Sequence, residues 1–168
     1  MINCMKFESV NELEKFSFED CVITGLEERP ERFILNLEAL IVLPENSQNT
    51  NFTKSYAGDA VLSLVNWQLV SAVREGFRYF DSDGKLLSET PDEPLDQEAL
   101  KALWARLPGA YLFSVKRQES GAWSFRAEFP PEETYDTLPS ESYELVFSFE
   151  TARVEWDYYM NRVQTPGQ

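Results

Sequence analysis

The sequence predicts an α+β fold dominated by antiparallel β structure, with about nine strands in a sandwich or open curved barrel and two helices, near 10–16 and 97–107. Three observations lead there. Apolar and polar residues alternate through most segments, turn residues recur at short intervals, and only two segments carry helix-start signals. Strands joined by turns pair antiparallel, and strict alternation gives each sheet one solvated face.

Ser9-Val10-Asn11-Glu12 has the form of a capping box and predicts a short helix to about Phe16. Val22-Ile23 followed by Gly25 predicts a short strand within 20–27, and Glu28-Arg29-Pro30-Glu31 a turn. In 32–43, Phe33, Leu35 and Leu37 alternate with Arg32, Asn36 and Glu38 before the run Ala39-Leu40-Ile41-Val42-Leu43, which suggests a bulge or burial on both faces. Residues 44–55, rich in Asn and Thr, read as a long loop of the kind that is often functional or mobile.

Residues 59–66 and 69–73 are β-type runs joined through Asn66-Trp67-Gln68. Phe77-Arg78-Tyr79-Phe80 and Leu86-Leu87 flank Asp83-Gly84, a strong hairpin signal because both turn residues tolerate positive φ. The second helix starts at an Asp96 N-cap, with Leu95 and Leu100 placed for a hydrophobic staple. Leu100, Leu103, Trp104 and Leu107 form its apolar face, and Pro108-Gly109 ends it.

Tyr111, Phe113 and Val115 alternate as one strand, Ser120-Gly121 marks a turn, and Trp123, Phe125, Ala127 and Phe129 alternate as the next. Residues 130–139 are an acidic, proline-flanked loop. Tyr143, Leu145, Phe147 and Phe149, then Ala152, Val154, Trp156 and Tyr158, supply the last two apolar faces. One domain over 1–168 is expected, with a frayed tail at 164–168 and no internal repeat.

Composition excludes several chemistries. With no histidine there is no Ser–His or Cys–His nucleophile pair and no His-ligated metal. Cys4 and Cys21 are the two cysteines, too few for a four-Cys zinc site, and Cys21 is expected reduced and partly buried. Asp81-Ser82-Asp83-Gly84 resembles the opening of a calcium loop. However, glycine comes fourth rather than sixth and Asp92 stands at the twelfth position, so the segment reads as a hairpin turn. No nucleotide or hydrolase motif is present, and no catalytic residue, cofactor or metal is assigned. The expected compartment is the cytoplasm, because the N-terminus lacks a signal-peptide pattern and the longest apolar run is Ala39–Leu43.

Charge is the most informative feature. The chain holds 29 acidic and 15 basic residues, net −14. Residues 75–98 contribute −6 and residues 128–157 contribute −8, which together are the entire excess. Such a polyanion repels nucleic-acid phosphates and anionic lipid, so neither nucleic acid nor membrane is an expected partner. Aromatics reach 14%, and in Trp156-Asp157-Tyr158-Tyr159 both strand faces carry rings. At least one of Tyr158 and Tyr159 should therefore face solvent or a partner.

The sequence thus favours a non-catalytic interaction domain that binds a basic protein partner through one acidic and aromatic surface. The candidate surface is Glu132, Glu133, Asp136, Glu155, Trp156, Asp157, Tyr158 and Tyr159. An immunity-type or inhibitor-like neutraliser of a cationic enzyme has this profile, by analogy alone. A small-ligand-binding β-rich domain is the alternative, and a carboxylate-dependent hydrolase is the least favoured reading. Oligomeric state is left open.

Overall fold

The structure is a computed structural model and describes residues 5–130 and 141–162. Its strands are β1 (Phe7–Val10), β2 (Phe16–Ser17), β3 (Val22–Glu28), β4 (Arg32–Glu38), β5 (Ile41–Val42), β6 (Ser55–Ala57), β7 (Ala60–Val65) and β8 (Gln68–Arg74). They continue with β9 (Phe77–Phe80), β10 (Leu86–Thr90), β11 (Glu93–Pro94), β12 (Tyr111–Arg117), β13 (Trp123–Phe129), β14 (Glu141–Ser148), β15 (Thr151–Trp156) and β16 (Tyr159–Arg162). One α-helix, α1 (Gln97–Arg106), and one 3₁₀ turn, Leu13–Lys15, complete the set.

Ten strands form one antiparallel sheet in the order β1-β15-β7-β4-β3-β12-β13-β14-β8-β11. The sheet is not closed. Its edges are β1 and the short β11, whose Pro94 suits an edge position because it has no amide to donate. The β3–β12 junction is narrow, with Tyr111 opposite Val22 as its one strand pair. Backbone bonds from Ile23 to Ala110 (2.8 Å) and from Leu112 to Cys21 (2.9 Å) reinforce it.

Consecutive strands β7 and β8 lie far apart in this order, as do β14 and β15, so the chain turns a corner after each of β7 and β14. The two corners are tied together. Asn66 Nδ2 donates to Glu150 Oε2 at 2.5 Å, and the Glu150 amide donates to the Val65 carbonyl at 2.9 Å. Trp67 packs on Phe33 and Phe147 and donates its indole N–H to the Arg29 carbonyl at 2.8 Å. Phe33 of β4 meets Phe147 of β14 with ring centroids 4.9 Å apart, so residues distant in the strand order share one core.

Helix α1 follows its sequence signals. Asp96 caps it by accepting from the Ala99 amide at 2.7 Å, and Leu103 and Leu107 are buried while Trp104 packs on Phe33. The expected helix near 10–16 does not form. Phe7–Val10 pairs with β15 instead, Asn11 turns the chain with φ 55°, and only Leu13–Lys15 is helical. The capping box does not form: Ser9 Oγ donates to the Glu12 side chain at 2.8 Å instead of bonding a backbone amide. The expected alternation of Tyr111 and Phe113 also fails. A bulge between Leu112 and Ser114 buries Leu112 and turns Tyr111 to solvent.

The loop between β5 and β6 is tied down by its own asparagines. Asn49 Nδ2 donates to the Val42, Leu43 and Thr53 carbonyls at 2.9–3.1 Å, and Asn46 Nδ2 donates to Ser9 Oγ at 3.2 Å. Both asparagines are buried, which such satisfaction permits. A second sheet, β16-β6-β5-β2, lies alongside, and β9–β10 forms a separate two-stranded ribbon. Among the described residues no helix is long and apolar enough to cross a membrane.

Candidate functional site

The small β16-β6-β5-β2 sheet builds the most informative surface feature. Ala39 leaves β4 with φ 58°, a left-handed backbone that a non-glycine residue adopts at some cost, and directs Leu40 and Ile41 inward. β6 pairs with β5 on one side and β16 on the other. The Gly58 amide donates to the Tyr158 carbonyl at 2.7 Å, and the Tyr158 ring lies directly over Gly58. A Cβ at Gly58 would stand 2.5 Å from the Tyr158 Cζ, so this packing requires glycine.

An open cleft of about 390 Å³ results, with Tyr158, Tyr56 and Met160 as its apolar lining and Glu38 and Asp59 as its charged groups. Tyr158 is 53% exposed and Met160 57%. Tyr56 donates its hydroxyl to Asp20 Oδ2 at 2.7 Å. That bond, with burial and the charges of Asp20 and Glu19, raises the Tyr56 pKa above 10.0. No lysine or arginine is among the described residues lining the cleft.

The expected surface is only partly assembled. Tyr158 faces the cleft and Asp157 is exposed, its Oδ1 accepting from the Lys6 amide at 3.0 Å. Glu155 is half-buried in β15 opposite Glu8. Trp156 leaves the surface entirely: it is 0% exposed, because the inward face that carries Ala152 and Val154 carries it too. It stacks on Phe7 at 5.6 Å and meets Phe16 at 5.8 Å.

The bend at Asp157 breaks the alternation of β15, so Tyr158, expected on the inward face with Ala152, Val154 and Trp156, turns outward, and Tyr159 turns inward and donates to the Gln48 carbonyl at 2.7 Å. Burial pushes the Tyr159 phenol up, and the nearby Trp156 indole N–H offsets part of this while lying outside hydrogen-bonding geometry. Glu132, Glu133 and Asp136 lie outside the described residues.

The two acidic windows do not stay whole. β14, with Glu141 and Glu144, adjoins the first window through β8, whereas β15 lies toward the opposite end of the strand order. Several acids are also neutralised locally. Glu75 pairs with Arg126, Glu89 with Arg78 at 2.9 Å, and Glu141 with Arg106 at 2.9 Å and Arg74 at 3.6 Å. The Arg106 guanidinium holds the Glu141 carboxyl below 4.5 against the opposing effect of burial. At Glu12 burial works against the carboxylate, but hydrogen bonds from Ser47 and Ser9, helped by Lys15, more than offset it and lower the pKa. Both groups are thereby suited to ion pairing at neutral pH rather than to donating a proton.

Two other features lay beyond sequence reasoning. The β9–β10 ribbon exposes Phe77, Tyr79, Phe80, Leu86 and Leu87, whereas apolar runs around a turn signal suggest burial. Its turn is closed by Asp81 Oδ1, which accepts from the Asp83 and Lys85 amides at 2.9 and 2.8 Å, with Gly84 at φ 81°. Among the described residues no group of three His, Cys, Asp or Glu side chains is arranged to hold a metal. A second groove of about 580 Å³ runs beside Trp123, Phe149, Arg117 and Glu150. Cys21 is fully buried, and burial pushes its thiol up to about 12.

No protein-family model matches the chain, and comparison with curated proteins and with solved structures returns no significant match.

Proposed function

We propose that this chain is a non-catalytic interaction domain that binds a basic protein partner in the cytoplasm, with neither nucleic acid nor membrane as its target. The observation that carries the reading is the Tyr158 cleft, where exposed aromatic and thioether surface adjoins Glu38 and Asp59 with no cation among its described lining residues. Exposed rings supply contact area at low entropic cost, and uncompensated carboxylates steer and select a cationic partner. The curved ten-stranded sheet, read as an open sandwich-like frame, supports this surface through the buried Trp156 and the half-buried Tyr159 that packs on it.

Capture from the source lysate tests the reading, with the wild-type chain and a Tyr158→Ala/Asp59→Lys chain as parallel baits. A basic protein should be retained by wild type at low salt, released at moderate salt and missing from the variant bait. Equal retention by both baits would contradict the reading.

The Trp123–Phe149 groove favours a second reading, a small-ligand-binding domain. The two rings stack at 6.4 Å beside Arg117 and Glu150, a combination of apolar surface and convergent polar groups. Protection of Trp123 fluorescence by a small-molecule extract, with no effect of Tyr158→Ala, would support it over the first.

A further inference from the structure

We infer that the Tyr158 cleft is a receptor for a single cationic side chain, an arginine of the partner, recognised by its charge and its flat face rather than by general attraction to a polyanion. The inference rests on the interaction reading and adds the chemistry of the contact. Three properties of the cleft lead to it.

Its apolar lining is of the kind that cations prefer. Two phenol rings, Tyr56 and Tyr158, and the thioether of Met160 line one open space. Ring faces carry negative quadrupole charge and attract ammonium and guanidinium groups, and arginine in addition stacks flat on them. The Tyr56 hydroxyl donates to Asp20 Oδ2 at 2.7 Å, which pushes electron density back toward its ring and strengthens that attraction.

Its charged groups have one sign. Glu38 and Asp59 line the cleft, with Asp20 behind Tyr56, and no lysine or arginine is among the described lining residues. Some acids elsewhere are matched within the chain, Glu75, Glu89 and Glu141 each meeting an arginine, whereas the acids of the cleft stand beside exposed rings. Glu38 and Asp59 take part in none of the ion pairs found among the described residues.

Its position is held from below. Gly58 leaves room for the Tyr158 ring, and the Gly58–Tyr158 backbone bond of 2.7 Å fixes the connection between β15 and β16 that carries it. A ring seated in this way is largely preorganised, so less side-chain freedom is lost when a ligand arrives. The volume of about 390 Å³ accommodates an arginine side chain with part of its backbone.

The test is an NMR titration of the full chain with Nα-acetyl-arginine methylamide, alongside its uncharged isostere, Nα-acetyl-citrulline methylamide, and a short polyarginine peptide. The arginine compound should shift the Gly58, Asp59 and Tyr158 resonances saturably, and the citrulline compound should not. Tyr158→Ala should weaken arginine binding about two- to fivefold, and Tyr158→Phe, which keeps the ring, should preserve it. Equal shifts from arginine and citrulline would overturn the inference, as would unchanged arginine affinity in Tyr158→Ala with its amide spectrum otherwise intact. Binding of polyarginine with the cleft resonances unmoved would overturn the cleft but leave the interaction reading standing. Failure of both cationic probes to bind at low salt would remove both.

Discussion

The ring of Tyr158 rests on the bare Cα of Gly58, where an added Cβ would lie 2.5–2.7 Å from three of its ring carbons. All three are at the far end of the side chain, and Gly58 is not among the glycines with positive φ. Gly58→Ala should therefore swing the Tyr158 ring aside without breaking the backbone. The expected stability change is under about 1 kcal/mol, together with weaker arginine binding in the cleft. Thermal melts and ring-proton NMR spectra check this. A loss above about 2 kcal/mol would mean that the ring is locked by neighbours and cannot move.

Helix α1 contributes its buried face to the core. Leu103, at 3% exposure, lies one turn from Leu107 and beside Trp104, which packs on Phe33. Leu103→Ala should cost about 2–5 kcal/mol in denaturant unfolding, from lost burial and the cavity left behind. A cost below about 0.5 kcal/mol would show that the helix is peripheral.

Acid should weaken the contact between α1 and β14. The Glu141 pKa is lowered by Arg106 from the ordinary 4.5, so the folded chain binds fewer protons there than the unfolded chain. This contribution is fully present above 4.5 and is lost as pH falls through the lowered folded value. Stability measured from neutral pH into acid should fall more steeply in wild type than in Glu141→Gln. Parallel curves would remove Glu141 from the acid response.

Metal ions should leave the fold unchanged. Asp81 Oδ1 is already engaged by two amides of its own turn, and Asp83 is an exposed neighbour rather than part of an arranged ligand set. EDTA should not shift the melting temperature, and calcium should shift it no more than an equal ionic strength of sodium chloride does. A saturable rise with calcium would contradict the plain-turn account.

Legibility in the sequence followed the range of the interactions. The α1 cap is local, three residues from Asp96 to Ala99, and the sequence carries it openly. The alternation of Ala152, Val154 and Trp156 is equally local and correctly orients β15, and that same alternation buries Trp156 rather than leaving it on the surface beside Asp157. Near the N-terminus a local capping signal lost to a distant partner, since Phe7–Val10 completes the sheet edge against β15. The β12 bulge left no distinct mark among residues that are apolar on both faces. The cleft was invisible for a different reason: Tyr56 sits on the three-residue β6, too short to show a period, and Gly58 and Tyr158 lie in connections outside any strand, brought to Glu38 at the end of β4 by long-range pairing.

The most direct test of partner recognition compares two charge-matched double variants for binding of an arginine-rich peptide by calorimetry. Glu38→Gln/Asp59→Asn removes two charges at the cleft, and Asp83→Asn/Glu98→Gln removes two exposed charges elsewhere. The account predicts that the cleft pair weakens binding about three- to tenfold at low salt while the remote pair changes it by less than about twofold. Equal weakening by the two pairs would show that the peptide responds to net charge alone, and would contradict a dedicated site at Tyr158.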